Sequence, residues 1–139
     1  MCLVWTACSQ NNTSNQPKKD GDFYVDKVDN LPKILAHYQV DSIPNNSYLI
    51  IVNNSSCSQC SEDGIKRTFE KIQFLPNIYC IFVTEKNDFV DEQLENLKLY
   101  KGKIMYDTDK FLPQYGFSYP QHLILKRQND KYKIIDVLK

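Results

Sequence analysis

Two runs of apolar residues, at 48–52 and 78–83, are the strongest feature of the hydrophobic pattern. They read YLIIV and IYCIFV, and both are continuous, rich in β-branched residues and of strand length. Such runs are typical of strands that are buried on both faces. Between them, Ile65, Phe69 and Ile72 recur at helical spacing, with charged residues in the intervening positions. The pattern therefore predicts a strand–helix–strand unit with parallel strands and a right-handed crossover.

The rest of the chain also divides into helices and strands. A helix is expected at 31–38, with Asn30 as its cap and Pro32 in its first turn. Another is expected at 88–101, with acidic residues in its first turn, lysines in its last turn and Gly102 as its stop. The other predicted elements are a short strand at 103–106, a helical turn at 108–115, and a hairpin of strands at 122–126 and 132–138 whose last strand contains a shift in alternation.

These elements predict an α/β fold with a central mixed sheet of about four to five strands flanked by helices. The chain has 139 residues, which suits a single domain. Residues 1–27 include a polar segment rich in Asn, Ser, Gln and Lys, and are predicted to be a disordered tail: a signal remnant or flexible tether. Residues 28–139 are predicted to form the folded domain.

The first eight residues, MCLVWTAC, resemble the end of a bacterial lipoprotein signal, in which a cysteine after small residues carries lipid. By this resemblance, Cys8 anchors the protein to a membrane of the bacterial cell envelope, facing the periplasm. Trp5 stands where that motif usually has Leu, and a basic segment and a full apolar segment are missing. A cytoplasmic protein with incidental N-terminal cysteines is therefore the alternative.

Charge and hydropathy argue against nucleic-acid binding and against a membrane-spanning segment. Lys and Arg together number 17, as do Asp and Glu, and no basic stripe is present, so nucleic-acid binding is not expected. The chain has no apolar run of about 18 residues, so no membrane-spanning segment is predicted.

The candidate chemistry is a Cys-x-x-Cys pair, Cys57 and Cys60, at the start of the predicted helix after the first strand. The free N–H groups and the positive end of the helix dipole stabilise a thiolate there. Cys57 is predicted to have a lowered pKa and to act as the nucleophile, while Cys60, one turn further on, resolves the mixed disulfide.

Other chemically reactive side chains have simpler explanations. Cys80 lies inside an apolar strand and is expected to be a core residue. His37 is expected to be solvated, and His122 to be a strand residue, although copper carriage by Cys57, Cys60 and His122 is an alternative. No cofactor motif is present, because the chain has no glycine-rich phosphate loop, and no metal site is predicted.

From Tyr48 to Lys139, the order of strand, Cys-x-x-Cys helix, strand, helix, short strand, Tyr-Gly-x-x-x-Pro and hairpin resembles the thioredoxin superfamily. The resemblance is in particular to the TlpA-like envelope thiol-disulfide oxidoreductases. It implies that Pro120 follows a cis peptide and lies against the cysteine pair. It also implies that Tyr119 flanks an extended substrate peptide, and we expect Ser56, before the first cysteine, to contact substrate too.

The chain departs from that family at several positions. Ser56 replaces a common Trp, Ser58-Gln59 lacks a common Pro, and Ile51 stands where thioredoxin has a buried Asp that assists proton transfer. Asp63, three residues after Cys60, is the candidate for that proton transfer.

The favoured function is a thiol-disulfide oxidoreductase that acts on protein disulfides and is recharged by a thiol electron donor. A reducing or isomerising direction is expected, because Ser58-Gln59 adds no cation to stabilise the thiolate. The alternative is a redox-inactive, thioredoxin-fold binding or accessory lipoprotein.

Overall fold

The computed structural model describes residues 23–40, 42–53, 58–97, 103–117 and 121–138, with the backbone alone at 58–61. A 3₁₀ turn at Val28–Asn30 precedes the first helix. The helices are α1 (Leu31–His37), α2 (Ser58–Ile72), α3 (Asp88–Asn96) and α4 (Phe111–Gln114). The strands are β1 (Tyr48–Val52), β2 (Ile78–Val83), β3 (Lys103–Tyr106), β4 (His122–Gln128) and β5 (Lys131–Leu138).

The five strands form one mixed sheet in the order β3-β2-β1-β4-β5. β1, β2 and β3 are parallel to one another, β4 is antiparallel to β1, and β5 is antiparallel to β4. The predicted α/β class with a mixed sheet flanked by helices is confirmed, as is the parallel unit formed by β1, α2 and β2.

Helices cover both faces of the sheet, so the central strands are buried on both sides. Ile50 and Val52 of β1 point to one face, and Leu49 and Ile51 point to the other. We call the first face the α2 cluster; its buried residues are Ile50, Val52, Ile65, Phe69, Ile72, Ile78, Ile81, Val83, Val90, Leu97 and Ile124. The second, the α1 cluster, contains Tyr24, Leu31, Ile34, Leu35, Val40, Ile43, Leu49, Ile51, Cys80, Phe82, Leu112, Phe117, Leu123 and Leu125.

Core packing begins upstream of the predicted domain start at residue 28. Tyr24 is buried, and its ring stacks on Phe117 with centroids 6.1 Å apart and planes 6° apart. The side chain of Lys27 crosses Gly116, where a Cβ would lie 2.6 Å from the lysine Cδ. Because Gly116 also has φ of +90°, only glycine fits this crossing without strain. The part of the predicted tether up to residue 22 lies outside the described residues.

Helix ends differ from the sequence predictions in two places. Asn30 makes no side-chain cap bond, because it already has helical backbone angles at the end of the 3₁₀ turn. α3 ends at Asn96 rather than at 101, since Leu97 leaves the helix with ψ of 72° and buries its side chain in the α2 cluster. The side chain of Asn87 caps the start of α3 by accepting from the Val90 N–H at 2.7 Å. The predicted stop at Gly102 lies outside the described residues.

The predicted shift in the last strand is confirmed as a β-bulge. Ile124 of β4 pairs with Asp136, but the next residue, Leu125, pairs with Ile134. Ile135 is therefore an extra residue in β5, and 51% of it is exposed. The bulge lets apolar residues on either side of it face the sheet interior.

Asp107 holds the junction between β3 and α4. Its carboxylate is buried and accepts the backbone N–H groups of Phe111 and Leu112, both at 2.9 Å. It also accepts the hydroxyl of Tyr38, which links this junction to the end of α1. Burial and then this hydrogen bond raise the pKa of Tyr38 to about 12. One carboxylate therefore caps α4 and joins it to α1.

Replacing Asp107 with alanine should lower the free energy of unfolding by about 2 kcal/mol, because the Leu112 N–H would stay buried without its acceptor. Urea unfolding measures this change. Asp109→Ala is the matched control, since Asp109 is exposed and the described contact of its side chain is with His37, at 2.7 Å. That control should cost no more than about 0.5 kcal/mol. Equal losses in the two variants would contradict the role of Asp107.

Candidate functional site

The candidate site lies at the edge of the sheet where the parallel strands end. β1, β2 and β3 finish there at Val52, Val83 and Tyr106, and β4, which runs the opposite way, begins there at His122. In α/β sheets, ligands commonly bind beyond the carboxyl ends of parallel strands. The chain leaves this edge after β1 and returns as α2.

The Cys-x-x-Cys motif straddles the start of α2. The helix begins at Ser58 and has 15 residues, so Cys60 lies in its first turn and Cys57 directly precedes it. Its inward face carries Ile65, Phe69 and Ile72, as the sequence pattern predicted. A helix of this length presents several unbonded N–H groups and the positive end of its dipole at this point.

Most of the other predicted site residues lie outside the described part of the chain. These are Cys8, Ser56, Cys57, Tyr119 and Pro120. Cys60 is described by its backbone alone.

The carboxyl group of Asp63, the predicted proton-transfer residue, is exposed on α2. The described contact of Asp63 is made by its backbone carbonyl, which accepts from Arg67 Nε at 3.2 Å. Asp63 therefore has no buried setting comparable to that of the thioredoxin Asp.

Asn53 connects the two chain segments that flank the candidate site. It directly follows β1, is buried, and donates its backbone N–H to Nδ1 of His122 at 3.1 Å. Its side-chain amide donates to the carbonyl of Gln121. Asn53 precedes Cys57 by four residues, and Gln121 follows Pro120 directly. The entry to the cysteine loop is thus fastened to the start of β4, a link that the sequence analysis missed.

His122 is buried and neutral. Desolvation by burial lowers the pKa of its ring to about 4, and the nearby charge of Arg67 lowers it further in the same direction. Because Nδ1 accepts a hydrogen bond, the ring proton is on Nε2. Ile124, two residues along β4, belongs to the α2 cluster, so His122 lies on the sheet face that α2 covers. His122 therefore offers a permanent N–H donor on that face.

A cleft of about 400 Å³ opens at the same edge of the sheet. Pro113 and Phe117 form an apolar wall, and Lys86 and Lys110 contribute cations. Tyr106 also lines the cleft; burial, and then its hydrogen bond to Asp91 at 2.7 Å, raise its pKa to about 12. The rest of the lining is Asn53, Thr84, Glu85, Asp107 and Thr108. Because Asn53 is part of the lining, the cleft adjoins the segment that leads to Cys57.

Two residues considered from the sequence belong to the core on the opposite face. Ile51 is fully buried in the α1 cluster, so the position that the sequence resemblance pairs with the thioredoxin Asp is part of the apolar core. Cys80 is buried as a free thiol, as predicted, and burial raises its pKa to about 12. A thiol with that pKa stays protonated at neutral pH and is a poor nucleophile.

No protein-family model, curated protein or solved structure matches this chain. The predicted membership of the thioredoxin superfamily therefore stays a prediction. Within the described residues, no helix is long and apolar enough to span a bilayer. The same part of the chain contains no group of three or more His, Cys, Asp or Glu side chains arranged to hold a metal ion.

Proposed function

We propose that this protein is a thiol-disulfide oxidoreductase that uses Cys57 and Cys60 to reduce or exchange disulfides in other proteins. The observation that carries the proposal is the pair of hydrogen bonds from Asn53 to Gln121 and His122. They join Asn53, four residues before Cys57, to Gln121 and His122, which follow Pro120 in the chain. They support a site at this edge of the sheet to which both the motif and the proline contribute.

The topology supports the same proposal. A parallel strand–helix–strand unit carries the motif at the start of α2, and β4 returns antiparallel beside β1. This arrangement is similar to the thioredoxin core that the sequence resembles. Fold similarity alone does not determine activity, so the proposal depends on the position of the two cysteines within it.

The reaction proceeds by two exchanges. The Cys57 thiolate attacks one sulfur of a substrate disulfide, forms a mixed disulfide and releases the first substrate thiolate. Cys60 then loses its proton, attacks the Cys57 sulfur and releases the second thiolate. The substrate disulfide gains two electrons and the cysteine pair loses two, so a thiol donor must reduce the Cys57–Cys60 disulfide before the next cycle.

The substrate and location follow from the predictions already made. Tyr119 and Ser56 flank an extended substrate chain, and the cleft beside Asn53 accommodates a side chain next to the target cysteine. Protein disulfides of the cell envelope are the proposed substrates, with Cys8 as the lipid anchor. A reducing or isomerising direction fits the uncharged Ser58-Gln59 pair between the cysteines.

The experiment that tests this function is the reduction potential of the Cys57–Cys60 pair, measured by equilibration in glutathione or dithiothreitol buffers with free-thiol counting. We expect a potential between about −270 and −180 mV, the range from thioredoxin to protein disulfide isomerase. We also expect rapid alkylation of Cys57 at mildly acidic pH, because a lowered pKa keeps it a thiolate there.

The control for this measurement is the variant with both cysteines changed to serine, which should show no exchangeable pair. A wild-type pair that never forms a disulfide, or that resists reduction throughout, would contradict the oxidoreductase. The redox-inactive binding or accessory protein would then be the better description.

A further inference from the structure

We propose that the cleft at the carboxyl ends of β1, β2 and β3 binds a small organic acid. Its single carboxylate contacts the ammonium of Lys110, and its apolar part packs against Pro113 and Tyr106. Binding of the acid requires neither cysteine of the motif, so this site goes beyond the proposed function. Three features support it: the place of the cleft, the backbone conformation of Lys110 and the charges of the lining.

The cleft has the size and the place of a ligand site. Its volume of about 400 Å³ lies within the range of small-molecule pockets, about 300–1,000 Å³. Its lining includes Asn53 after β1, Thr84 after β2 and Asp107 after β3. Hydrogen bonds between neighbouring chains continue past the strand ends, from the Thr84 N–H to the Val52 carbonyl at 3.1 Å and from the Asp107 N–H to the Val83 carbonyl at 2.8 Å. The base of the cleft is therefore held by the sheet.

Two rings give the cleft apolar surface. Pro113 is exposed, Tyr106 is partly buried, and both line the cleft. The hydroxyl of Tyr106 donates to Asp91 at 2.7 Å, which fixes the tyrosine ring. An apolar ligand group that packs against these rings leaves water, which favours binding. Because the tyrosine ring is already fixed, little conformational entropy is lost when the ligand binds.

Lys110 has a backbone conformation that lysine rarely adopts. Its φ and ψ are 55° and 39°, in the left-handed region that is unfavourable for a residue with a Cβ. In the described part of the chain, six residues other than glycine have a positive φ, and four of them are Asn or Asp, which tolerate it best. The Lys110 N–H donates to the Asp107 carbonyl at 3.1 Å, so a turn explains the angles. It does not explain why the residue is a lysine.

The side chain of Lys110 does not stabilise the fold through an ion pair. It is exposed, and the ion pairs among the described residues do not include it. Its place is on the lining of the cleft. A residue in an unfavourable backbone conformation, with no compensating ion pair, is typical of a functional site. The ammonium of Lys110 is therefore the group that meets the carboxylate of the ligand.

The other charges of the lining favour an acid with a single negative charge. Lys86 adds a second ammonium, which lies 3.9 Å from Asp91 and 5.6 Å from the centre of the Tyr106 ring. The two acids of the lining are Glu85, which is exposed, and Asp107, whose carboxylate accepts three donors. These two negative charges repel a dianion, such as a phosphate monoester, more strongly than they repel a carboxylate.

The test uses three probes with the same aromatic group: 3-phenylpropionate, 3-phenylpropan-1-ol and 2-phenylethyl phosphate. Each is titrated into the full chain and followed in ¹H–¹⁵N spectra. We expect 3-phenylpropionate to bind with a dissociation constant of about 1 mM and to shift the amide resonances of Asn53, Thr108 and Lys110. The alcohol and the phosphate should each bind at least about fivefold more weakly, because the alcohol lacks the charge and the phosphate carries two.

Three variants test the role of Lys110. Lys110→Gly removes the ammonium and suits a positive φ, so it should weaken 3-phenylpropionate binding about fivefold while it lowers the unfolding equilibrium constant about threefold. Lys110→Arg keeps the charge and should keep the affinity. Gln39→Gly is the matched control, since Gln39 also has φ of 55° and is exposed, but is not part of the cleft lining. It should stabilise the protein similarly and leave binding unchanged.

The outcomes are independent of the redox chemistry. Equal affinity for the acid and the alcohol, or unchanged binding of the acid in Lys110→Gly, would overturn the site, as would shifts confined to amides outside the cleft. Tighter binding of the phosphate would contradict the preference for a single charge. The same titration of a variant with both motif cysteines changed to serine should give the wild-type affinity. If that variant does not bind the acid, the site depends on the cysteine pair and the inference is wrong, whatever the reduction potential of the pair.

Discussion

Changing Cys57 to serine should abolish disulfide reduction, with a loss of at least about a hundredfold in rate. The exchange needs a thiolate as nucleophile, and a serine hydroxyl is neither ionised near neutral pH nor able to form a disulfide. Changing Cys60 to serine should have a different result. Cys57 still attacks the substrate, but nothing resolves the intermediate, so a mixed disulfide should accumulate. The steady-state rate measures the first effect, and the mass of the trapped adduct measures the second.

Cys80→Ser is the control within the same chain. Cys80 is buried, unpaired and distant from α2 on the α1 face of the sheet, so its loss should leave the rate unchanged as long as the domain folds. Folding of all three variants can be compared by circular dichroism. Equal rates in Cys57→Ser and wild type would exclude the proposed mechanism, and an adduct on Cys60 in the wild type would reverse the two roles.

The central strands and the motif helix could be predicted from the sequence because their signals are local. Residues of β1 and β2 are apolar without alternation since each strand is covered on both faces, by the α1 cluster and by the α2 cluster. The bulge at Ile135 was also visible, because an extra residue shifts the alternation within one strand. Where the decisive contacts lie within a few residues, pattern alone is informative.

The contacts that assemble the candidate site are not local, and the sequence did not disclose them. Asn53 and His122 are 69 residues apart, and nothing in either segment indicates that a backbone N–H of one meets a ring nitrogen of the other. The predicted end of α3, at residue 101, was wrong for a similar reason. Leu97 leaves the helix and packs in the α2 cluster.

Asp107 lines the cleft, but its carboxylate stabilises the fold. Its position at the end of β3 places it on the lining of the cleft, yet its carboxylate is occupied by two backbone N–H groups and the Tyr38 hydroxyl. A carboxylate with three donors has little capacity left for a ligand. The two lysines of the lining, Lys86 and Lys110, are exposed, and Lys86 also pairs with Asp91 at 3.9 Å.

A fall in stability with acidification should distinguish His122 from other residues of the domain. The pKa of the ring is about 4 in the folded protein and 6.5 in its ordinary state. Below pH 6.5 the His122 ring of the unfolded chain becomes protonated, whereas the ring of the folded protein stays neutral until about pH 4. The free energy of unfolding therefore decreases as the pH falls from 6.5 to about 4. The difference corresponds to about 3 kcal/mol. His122→Gln lacks this term, so its stability relative to wild type should improve by that amount between pH 7 and pH 4.

Urea unfolding at several pH values measures the stability of both proteins. The difference between wild type and His122→Gln cancels the contribution of the carboxylates, which the two proteins share. His37→Gln is the matched control, because it deletes the other histidine of the chain, which stacks on Phe111 at the surface of the α1 side. That variant should keep the wild-type descent between pH 6.5 and 4. Parallel curves for wild type and His122→Gln would mean that the ring accepts a proton as readily when folded as when unfolded. A charged ring could not keep Nδ1 as the acceptor of the Asn53 N–H, so that result would also contradict the hydrogen bond that joins the end of β1 to the start of β4.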